Sequence, residues 1–283
     1  MNYENKYENK VVWITGASSG IGEQLVYQLN ALRAKLIISA RNENRLNEIA
    51  RRCNNGLQKK ILRLDLNQNE TIPDKCREAF ETYGHIDYLF NIAGVGHRDY
   101  ALNTGLDIDR KIMQVNYFGT IELSKIVLAG MLKQGEGHIV VTSSLSGKYG
   151  VPMLSAYSAS KHALHGFFES LRAEIKNENI KITIIIPGFV NTEINQNALT
   201  GDGKLYGKSL RIQDEGYPAD KCAEKILEAV AKEKDEVFIG GKEGLSLLLQ
   251  RIFPKTFSAI ISNHPVKNLR RIKSAFMFWK KKE

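Results

Sequence analysis

The chain has 283 residues, 43% of them hydrophobic, and a formal net charge of +9. This composition supplies a core for one α/β domain, and no repeat or low-complexity tract indicates a fibrous or repeat protein. No apolar run reaches the roughly eighteen residues of a spanning helix, and the polar start MNYENKYENK lacks the apolar core of a signal peptide. We therefore expect a cytoplasmic protein. Its three cysteines and six histidines are scattered, which predicts a reduced compartment and no metal site.

Short β-branched segments alternate with helix-length amphipathic segments along most of the chain. The strand-like segments are KVVWITGA, KLIISA, KILRLDL, IDYLFNIA, HIVVTSS, KITIIIP and EVFIG. This alternation predicts a Rossmann-type, doubly wound parallel sheet flanked by helices.

The first strand runs directly into a glycine-rich turn, Thr15 to Gly22, and then into an amphipathic helix. Gly16, Gly20 and Gly22 remove side chains where backbone must approach a pyrophosphate, and a helix N-terminus adds N–H donors. The spacing is T-G-x-x-x-G-x-G. The pattern favours a dinucleotide site, although glycine-rich turns also occur without one.

Tyr157 and Lys161 lie four residues apart, and Ser144 precedes the tyrosine by thirteen residues. Residues with this spacing share a helix face, and a cation beside a phenol favours the phenolate, which lowers its pKa toward neutrality. A serine opposite them could hydrogen-bond a carbonyl oxygen. The alternative for the pair alone is a surface helix with an ordinary i,i+4 contact.

With these motifs in place, the chain resembles the short-chain dehydrogenase/reductase family over about residues 10 to 240, in the branch with TGxxxGxG and YxxxK signatures. It is similar to NADP-dependent carbonyl reductases with a C-terminal extension. The motifs follow the family's order: TGASSGIG, Asp65-Leu66, Asn91-Ile92-Ala93-Gly94, Asn116, Ser144, Tyr157, Lys161 and PGFVNT. Ile92 departs from the second asparagine that the family often has, which predicts the loss of one polar contact supporting the central strand.

The resemblance implies a role for each matching residue. The catalytic set is Asn116, Ser144, Tyr157 and Lys161: proton transfer by the tyrosine, assisted by the lysine, a carbonyl contact by the serine, and a water held by the asparagine. Asn116 could instead satisfy a backbone carbonyl within its helix. The implied cofactor-binding residues are Gly16, Ser18, Ser19, Gly20, Ile21, Gly22, Arg41, Asn42, Asp65, Leu66, Asn91, Ala93, Gly94, Tyr157, Lys161, Pro187, Gly188, Val190 and Thr192.

The end of the second strand bears on the choice of cofactor. An acidic residue there would bind both ribose hydroxyls and favour NAD, but this chain has Ala40 followed by Arg41. A guanidinium can clamp a 2′-phosphate, and Ser18 could add a hydroxyl. The sequence favours NADP(H); the alternative is a solvated Arg41 at a helix start.

Residues 1–241 form the predicted Rossmann-fold domain. Two regions after the catalytic motifs differ from the rest of the chain, one inside this domain and one beyond it. Residues 189–218 are polar and poorly periodic, which is typical of a substrate loop. The C-terminal extension, residues 242–283, holds ten Lys or Arg against two Glu, a net charge of +8. Val266, Leu269, Ile272, Phe276 and Trp279 form an apolar stripe that indicates a basic amphipathic helix. It could lie on the inner face of a membrane, on its own domain or on another subunit; no nucleic-acid motif accompanies it.

These features predict an NADP(H)-dependent oxidoreductase acting on a carbonyl or secondary alcohol, with a lipid-like or steroid-like substrate within the breadth of the resemblance. The alternative is a dinucleotide-binding sensor or scaffold whose basic tail engages a membrane or partner. Epimerase chemistry is disfavoured by the glycine spacing. By resemblance we also expect a homo-oligomer.

Overall fold

The computed structural model of the chain describes residues 3–53, 58–209 and 214–263. Within these ranges seven strands form one parallel sheet in the order β3-β2-β1-β4-β5-β6-β7. The strands are β1 (Val11–Thr15), β2 (Lys35–Ala40), β3 (Lys59–Arg63), β4 (Tyr88–Asn91), β5 (Gly137–Thr142), β6 (Ile180–Pro187) and β7 (Glu236–Ile239). This architecture confirms the predicted Rossmann-type fold.

Helices cover both faces of the sheet. They are α1 (Gly20–Ala31), α2 (Glu43–Arg52), α3 (Ile72–Tyr83), α4 (Leu106–Met113), α5 (Gly119–Gln134), α6 (Ser155–Glu174), α7 (Ala219–Ala231), α8 (Leu245–Ile252) and α9 (Pro254–Ser262). Alternation along β1 explains the two layers: Val11 and Trp13 join a core with α3, α5 and α6, whereas Val12 and Ile14 join a core with α1, α2 and α7.

The strand order reverses between β1 and β4, so the helices that follow these strands lie on opposite faces and a crevice opens at their carboxyl ends. We call this side of the sheet the carboxyl edge and the opposite side the amino edge. At the carboxyl edge, the Oγ1 atom of Thr15 accepts hydrogen bonds from the N–H groups of Ile92 (3.2 Å) and Ala93 (3.3 Å). Ile92 itself packs into the core under α1, α2 and α7.

The C-terminal segment, as we call residues 242–263, packs on the domain that precedes it. Leu247 contacts the core on the α3, α5 and α6 face, and the ring of Phe257 is buried with its centroid 4.7 Å from that of Tyr149. The predicted basic helix, with Val266 and Trp279 on its stripe, lies outside the described residues. In the described ranges no helix has the length and hydropathy needed to cross a membrane.

Candidate active site

The turn between β1 and α1 has glycine at the positions where its backbone is most tightly packed. Gly16 and Gly20 have φ values of +68° and +54°, a region that favours glycine. A Cβ on Gly16 would lie 2.7 Å from the Cα of Ala93, and a Cβ on Gly22 would overlap the carbonyl oxygen of Gly16. The turn therefore brings backbone and the amino end of α1 to the cavity wall without intervening side chains, which is the arrangement that accommodates a pyrophosphate.

A cavity of about 680 Å³ follows the carboxyl edge from the end of β2 to the end of β6. This volume falls within the range of small-molecule sites, roughly 300–1,000 Å³. Most of the predicted site residues line it: Gly16, Ser18, Ser19, Gly20, Ile21, Gly22, Arg41, Asn42, Asp65, Leu66, Ala93, Gly94, Ser144, Tyr157, Lys161, Pro187, Gly188, Val190 and Thr192.

Asn91, predicted to contact the cofactor, lies behind the cavity wall instead. Its side chain is buried, and its Nδ2 atom donates to the Oγ of Ser124 on α5, 3.0 Å away. Residues two apart on a strand face the same way, so Asn91 points with Leu89 into the helical layer rather than into the crevice. Asn91 therefore joins β4 to α5.

Asn116 is also absent from the cavity wall. It is fully buried in a π-helical turn, Gln114–Phe118, between α4 and α5. Its Oδ1 accepts the N–H of Val95 at 2.8 Å, and its Nδ2 donates to the Val95 carbonyl and to the Oγ of Ser160, both at 3.0 Å. The amide thus fixes the loop after β4 against α6, with one Oδ1 lone pair left for a water.

The structure brings Ser144, Tyr157 and Lys161 together at the carboxyl end of β5. Tyr157 and Lys161 lie on successive turns of α6, as the spacing predicts, and Ser144 caps the 3₁₀ turn that follows β5. The Lys161 Nζ donates to the carbonyl oxygen of Thr142 at 2.7 Å and lies 5.7 Å from the centroid of the Tyr157 ring.

Burial dominates the ionisation of this cluster. It raises the pKa of Tyr157, while a hydrogen bond with Ser144 lowers it. Burial also lowers the pKa of Lys161 from 10.5 to about 8. The expectation that Lys161 lowers the pKa of Tyr157 stays a prediction. The Lys161 Nζ donates to a neutral carbonyl and so keeps its positive charge, 5.7 Å from the centroid of the Tyr157 ring. Ser144 is a hydrogen-bond partner that favours the phenolate.

The sequence also matches the model of a protein family. The model described as "short chain dehydrogenase" matches residues 10–202. The chain belongs to the short-chain dehydrogenase/reductase family. Its motifs at the cavity are therefore those of a family of oxidoreductases.

Curated relatives in the short-chain dehydrogenase/reductase family extend the similarity over most of the chain. It is 36% identical to dehydrogenase/reductase SDR family member 7B of Mus musculus. The alignment covers 94% of this chain and 84% of that relative. It is 42% identical to the dehydrogenase/reductase SDR family protein 7-like of Anopheles gambiae, covering 81% and 74%.

Solved structures show the same fold. A short-chain dehydrogenase/reductase from Burkholderia phymatum in complex with NAD has a TM-score of 0.77 at 23% identity, covering 87% of this chain and 94% of that one. An alcohol dehydrogenase from the archaeon Thermococcus sibiricus complexed with 5-hydroxy-NADP has a TM-score of 0.71 at 25% identity, covering 82% and 97%.

Several cavity residues escaped the sequence-based prediction. Thr142 lines the cavity, and its Oγ1, which is buried, has no hydrogen-bond partner among the described residues. Its position two residues before Ser144 was the available signal. Val95, Ile194 and Leu205 add apolar wall, which only the folded loops bring together.

At the far end of the cavity, the Oδ1 of Asn42 accepts the N–H of Arg45 at 3.1 Å and caps α2. Arg45 was not predicted. Its Nε donates to the carbonyl oxygen of Ser18 at 3.4 Å, and its Nη2 pairs with Glu23 at 3.0 Å. Arg41 is exposed at the same wall. Two guanidinium groups therefore stand beside the glycine-rich turn, one of them already neutralised.

A second cluster lies farther along α6. Ligand atoms of His165, Glu169 and Glu236 lie within 4.8 Å of one another. The Lys148 Nζ lies 2.6 Å from the Glu236 carboxylate, which supplies a positive charge to this cluster from the protein itself. The arrangement is an ion-pair network on the surface of the domain.

Proposed function

We propose that this protein is an NADP(H)-dependent oxidoreductase that interconverts a carbonyl compound and a secondary alcohol. One observation carries the proposal: Ser144, Tyr157 and Lys161 share a single cavity with the glycine turn of β1 and α1. The close backbone approach at Gly16 and Gly22, with no side chain at either position, suits the pyrophosphate of a dinucleotide.

A bound nicotinamide dinucleotide supplies or accepts the hydride. Tyr157 donates its phenolic proton to the substrate oxygen during reduction and removes it during oxidation. Ser144 stabilises the phenolate and orients the carbonyl oxygen. Lys161, whose pKa of about 8 makes it a proton donor near neutral pH, replenishes the phenol. Asn116 holds the adjoining loop and the water that reaches Lys161.

The end of β2 supports NADP(H) over NAD(H). The solved relatives do not decide the matter, since one is a complex with NAD and another a complex with 5-hydroxy-NADP. In this chain Ala40 ends β2 and offers no carboxylate to a ribose, and the Arg41 guanidinium at the cavity wall suits a 2′-phosphate. Asp65, whose Oδ1 accepts the N–H of Asn67, closes the adenine side.

The residues at the substrate end of the cavity favour an apolar carbonyl compound. Val95, Ile194 and Leu205 line the cavity, and Leu205 and Phe189 are exposed at its rim. On α8 and α9 large apolar side chains are more than half exposed: Leu245, Leu248, Ile252, Phe253 and Ile260. Lys242, Arg251 and Lys255 lie among them. Mixed apolar and cationic groups complement an anionic lipid surface, so we propose peripheral attachment to the inner face of a membrane.

The test of the reaction is oxidation of NADPH and of NADH with a panel of ketones, aldehydes and lipid-like carbonyl compounds. We expect turnover with NADPH that disappears in Tyr157→Phe. NADPH binding without turnover on any carbonyl would contradict the reductase and favour the sensor.

The test of attachment is co-sedimentation with phosphatidylserine-containing vesicles and with pure phosphatidylcholine vesicles. Leu248→Asp with Ile252→Asp should weaken binding to the anionic vesicles by roughly tenfold or more, because two exposed apolar contacts are lost. Leu106→Asp, at a similarly exposed position on α4, is the matched control. Equal binding to both vesicle types would argue against the anionic surface.

Assembly is a separate proposal. Phe118 and Leu132 leave apolar surface exposed near and on α5, next to α6, and a homo-oligomer would cover it. Light scattering of the full chain measures the assembly, and a monomeric mass would contradict it.

A further inference from the structure

The carboxylate of Glu243 connects the C-terminal segment to the cavity wall. Glu243 lies in the 3₁₀ turn Lys242–Gly244, just after β7. Its Oε1 accepts two backbone hydrogen bonds, from the N–H groups of Phe189 and of Gly241, each 3.0 Å long. Phe189 directly follows Gly188, which lines the cavity. One side chain therefore fixes backbone on both sides of the junction between β6 and the C-terminal segment.

Three glycines surround this carboxylate. A Cβ on Gly188 would overlap the Oε1 of Glu243, a Cβ on Gly240 would lie 2.6 Å from it, and a Cβ on Gly241 would lie 2.9 Å from the Oε2. None of the three is among the described glycines with positive φ, so backbone conformation does not explain them. A Cβ on any of the three would press on the carboxylate, and a Cβ on Gly240 would also lie 2.8 Å from the Phe238 ring.

The hydrogen bond to Phe189 acts at the cavity wall, between Gly188 and Val190. Gly188 is held from the other side by its N–H donating to the Ile239 carbonyl at 2.8 Å. Val190 and Thr192, which line the cavity, follow in the same loop. Without an acceptor on Glu243, the Phe189 N–H loses its partner and the loop loses a fixed point at its start.

We propose that Glu243 is a positioning residue that holds the Gly188–Thr192 loop in its binding-competent shape before the dinucleotide arrives. The proposal rests on the proposed function for the identity of the ligand. The loop's ordering cost is met in the folded protein rather than at binding, which strengthens affinity. The C-terminal segment is thereby part of the cofactor site and not an appendage to it.

The experiment uses the full chain with four variants. Glu243→Ala removes the acceptor, and Gly240→Ala displaces it with a Cβ. Glu243→Gln keeps an acceptor oxygen without the charge. Tyr149→Phe removes a neighbouring contact of the C-terminal segment, the hydrogen bond between the hydroxyls of Tyr149 and Ser246 (2.7 Å), and leaves the bond from the Ser246 hydroxyl to the Glu243 carbonyl in place.

The first readout is hydrogen–deuterium exchange at the Phe189 amide without nucleotide, and the second is the Kd for NADPH by fluorescence titration. We expect Glu243→Ala and Gly240→Ala to speed exchange by roughly tenfold and to weaken NADPH binding by roughly three- to tenfold. Glu243→Gln and Tyr149→Phe should stay within about twofold of the unmodified protein on both readouts.

Unchanged exchange and affinity in Glu243→Ala would overturn the proposal. Equal effects of Tyr149→Phe and Glu243→Ala would also overturn it, since Glu243 would then only anchor the segment. A Glu243→Gln variant that behaves as Glu243→Ala would overturn the hydrogen-bond argument. Because neither readout requires turnover, failure of the reductase assay leaves this result interpretable.

Discussion

Two lysines at opposite edges of the same sheet have pKa values that are shifted in opposite directions. At the amino edge, Lys10 lies 2.9 Å from Asp87 and 3.1 Å from Glu136, and the hydrogen bond with Asp87 is the largest effect raising its pKa. At the carboxyl edge, Lys161 is buried, donates to the Thr142 carbonyl and has its pKa lowered to about 8. One lysine is paired with charge and the other is kept from it.

This difference separates polar groups that stabilise the fold from polar groups that serve the candidate active site. At the amino edge the Asp87 carboxylate also accepts the Val11 N–H at 2.7 Å and faces His85 at 3.2 Å, so its polar contacts are internal. At the carboxyl edge the Oγ1 of Thr142 has no partner among the described residues. Buried polar atoms without partners also occur away from the cavity, at the Asn30 Oδ1 for example, so the cavity beside Lys161 is what marks the carboxyl edge as the ligand side.

The strongest test of the comparison exchanges a phenol at each edge. Tyr157→Phe should lower kcat by about 10²–10⁴, the usual contribution of a general acid, while the Kd for NADPH stays within about twofold. Tyr88→Phe, which removes a hydroxyl bonded to the Lys6 carbonyl at the amino edge, should leave kcat unchanged. Steady-state kinetics measure both. A comparable loss in the two variants would remove the functional distinction between the edges.

Lys161→Met should abolish turnover and stabilise the fold. The folded pKa of about 8 lies below the usual 10.5, so burial of the ammonium is a penalty that is complete below about pH 8 and disappears as pH rises toward 10.5. At about 1.4 kcal/mol per unit of pKa, relief of this penalty is worth roughly 3 kcal/mol at pH 7, from which the lost hydrogen bond to the buried Thr142 carbonyl subtracts about 1–3 kcal/mol. Urea unfolding at pH 7 and pH 10 measures it. A gain that does not shrink at the higher pH would contradict this account.

Asp87→Ala should do the reverse at the amino edge. Loss of the acceptor leaves the buried Val11 N–H unpaired and should lower the free energy of unfolding by about 1–3 kcal/mol. Catalysis should be unaffected in the folded fraction. Glu136→Ala, which breaks an exposed pair, is the matched control with an expected cost below about 1 kcal/mol. A change in kcat for Asp87→Ala would show that the amino edge contributes to function.

The smallest effect is expected at the end of β2. Arg41→Ala should reduce the preference for NADPH over NADH by roughly tenfold, because an exposed guanidinium contributes modestly to phosphate binding. The ratio of kcat/KM values for the two cofactors measures it. If the ratio is unchanged, Arg45, which also stands beside the glycine turn, becomes the residue to substitute.

Sequence spacing predicted the parts of the site that depend on one element. The glycine turn needs only the positions of Gly16, Gly20 and Gly22, and the shared face of Tyr157 and Lys161 needs only a helical period. The contacts that a side chain makes depend on more than one element and could not be predicted in this way. The helix directs Lys161 toward the cavity, but the acceptor that its Nζ finds, the Thr142 carbonyl, comes from a strand.

Contacts between distant segments were beyond the sequence. Asn91 belongs to a recognisable motif, yet the alternation of β4 turns its side chain toward Ser124 and away from the cavity. Glu243 carries no local signal at all, because its partner Phe189 lies 54 residues earlier in the chain. The predicted domain boundary at residue 241 is still a prediction, but contacts of Leu247 and Phe257 cross it.

The strand order also governs how this chain is made. β1 leaves the ribosome before β4, yet it needs β4 as a neighbour, with Val12 pairing to Tyr88. Until Tyr88–Asn91 has been synthesised, the nascent β1–β2–β3 unit has an open, apolar edge along β1. Non-local pairing of this kind slows folding and exposes the intermediate to aggregation. Chaperones should therefore engage the nascent chain most strongly before β4 emerges.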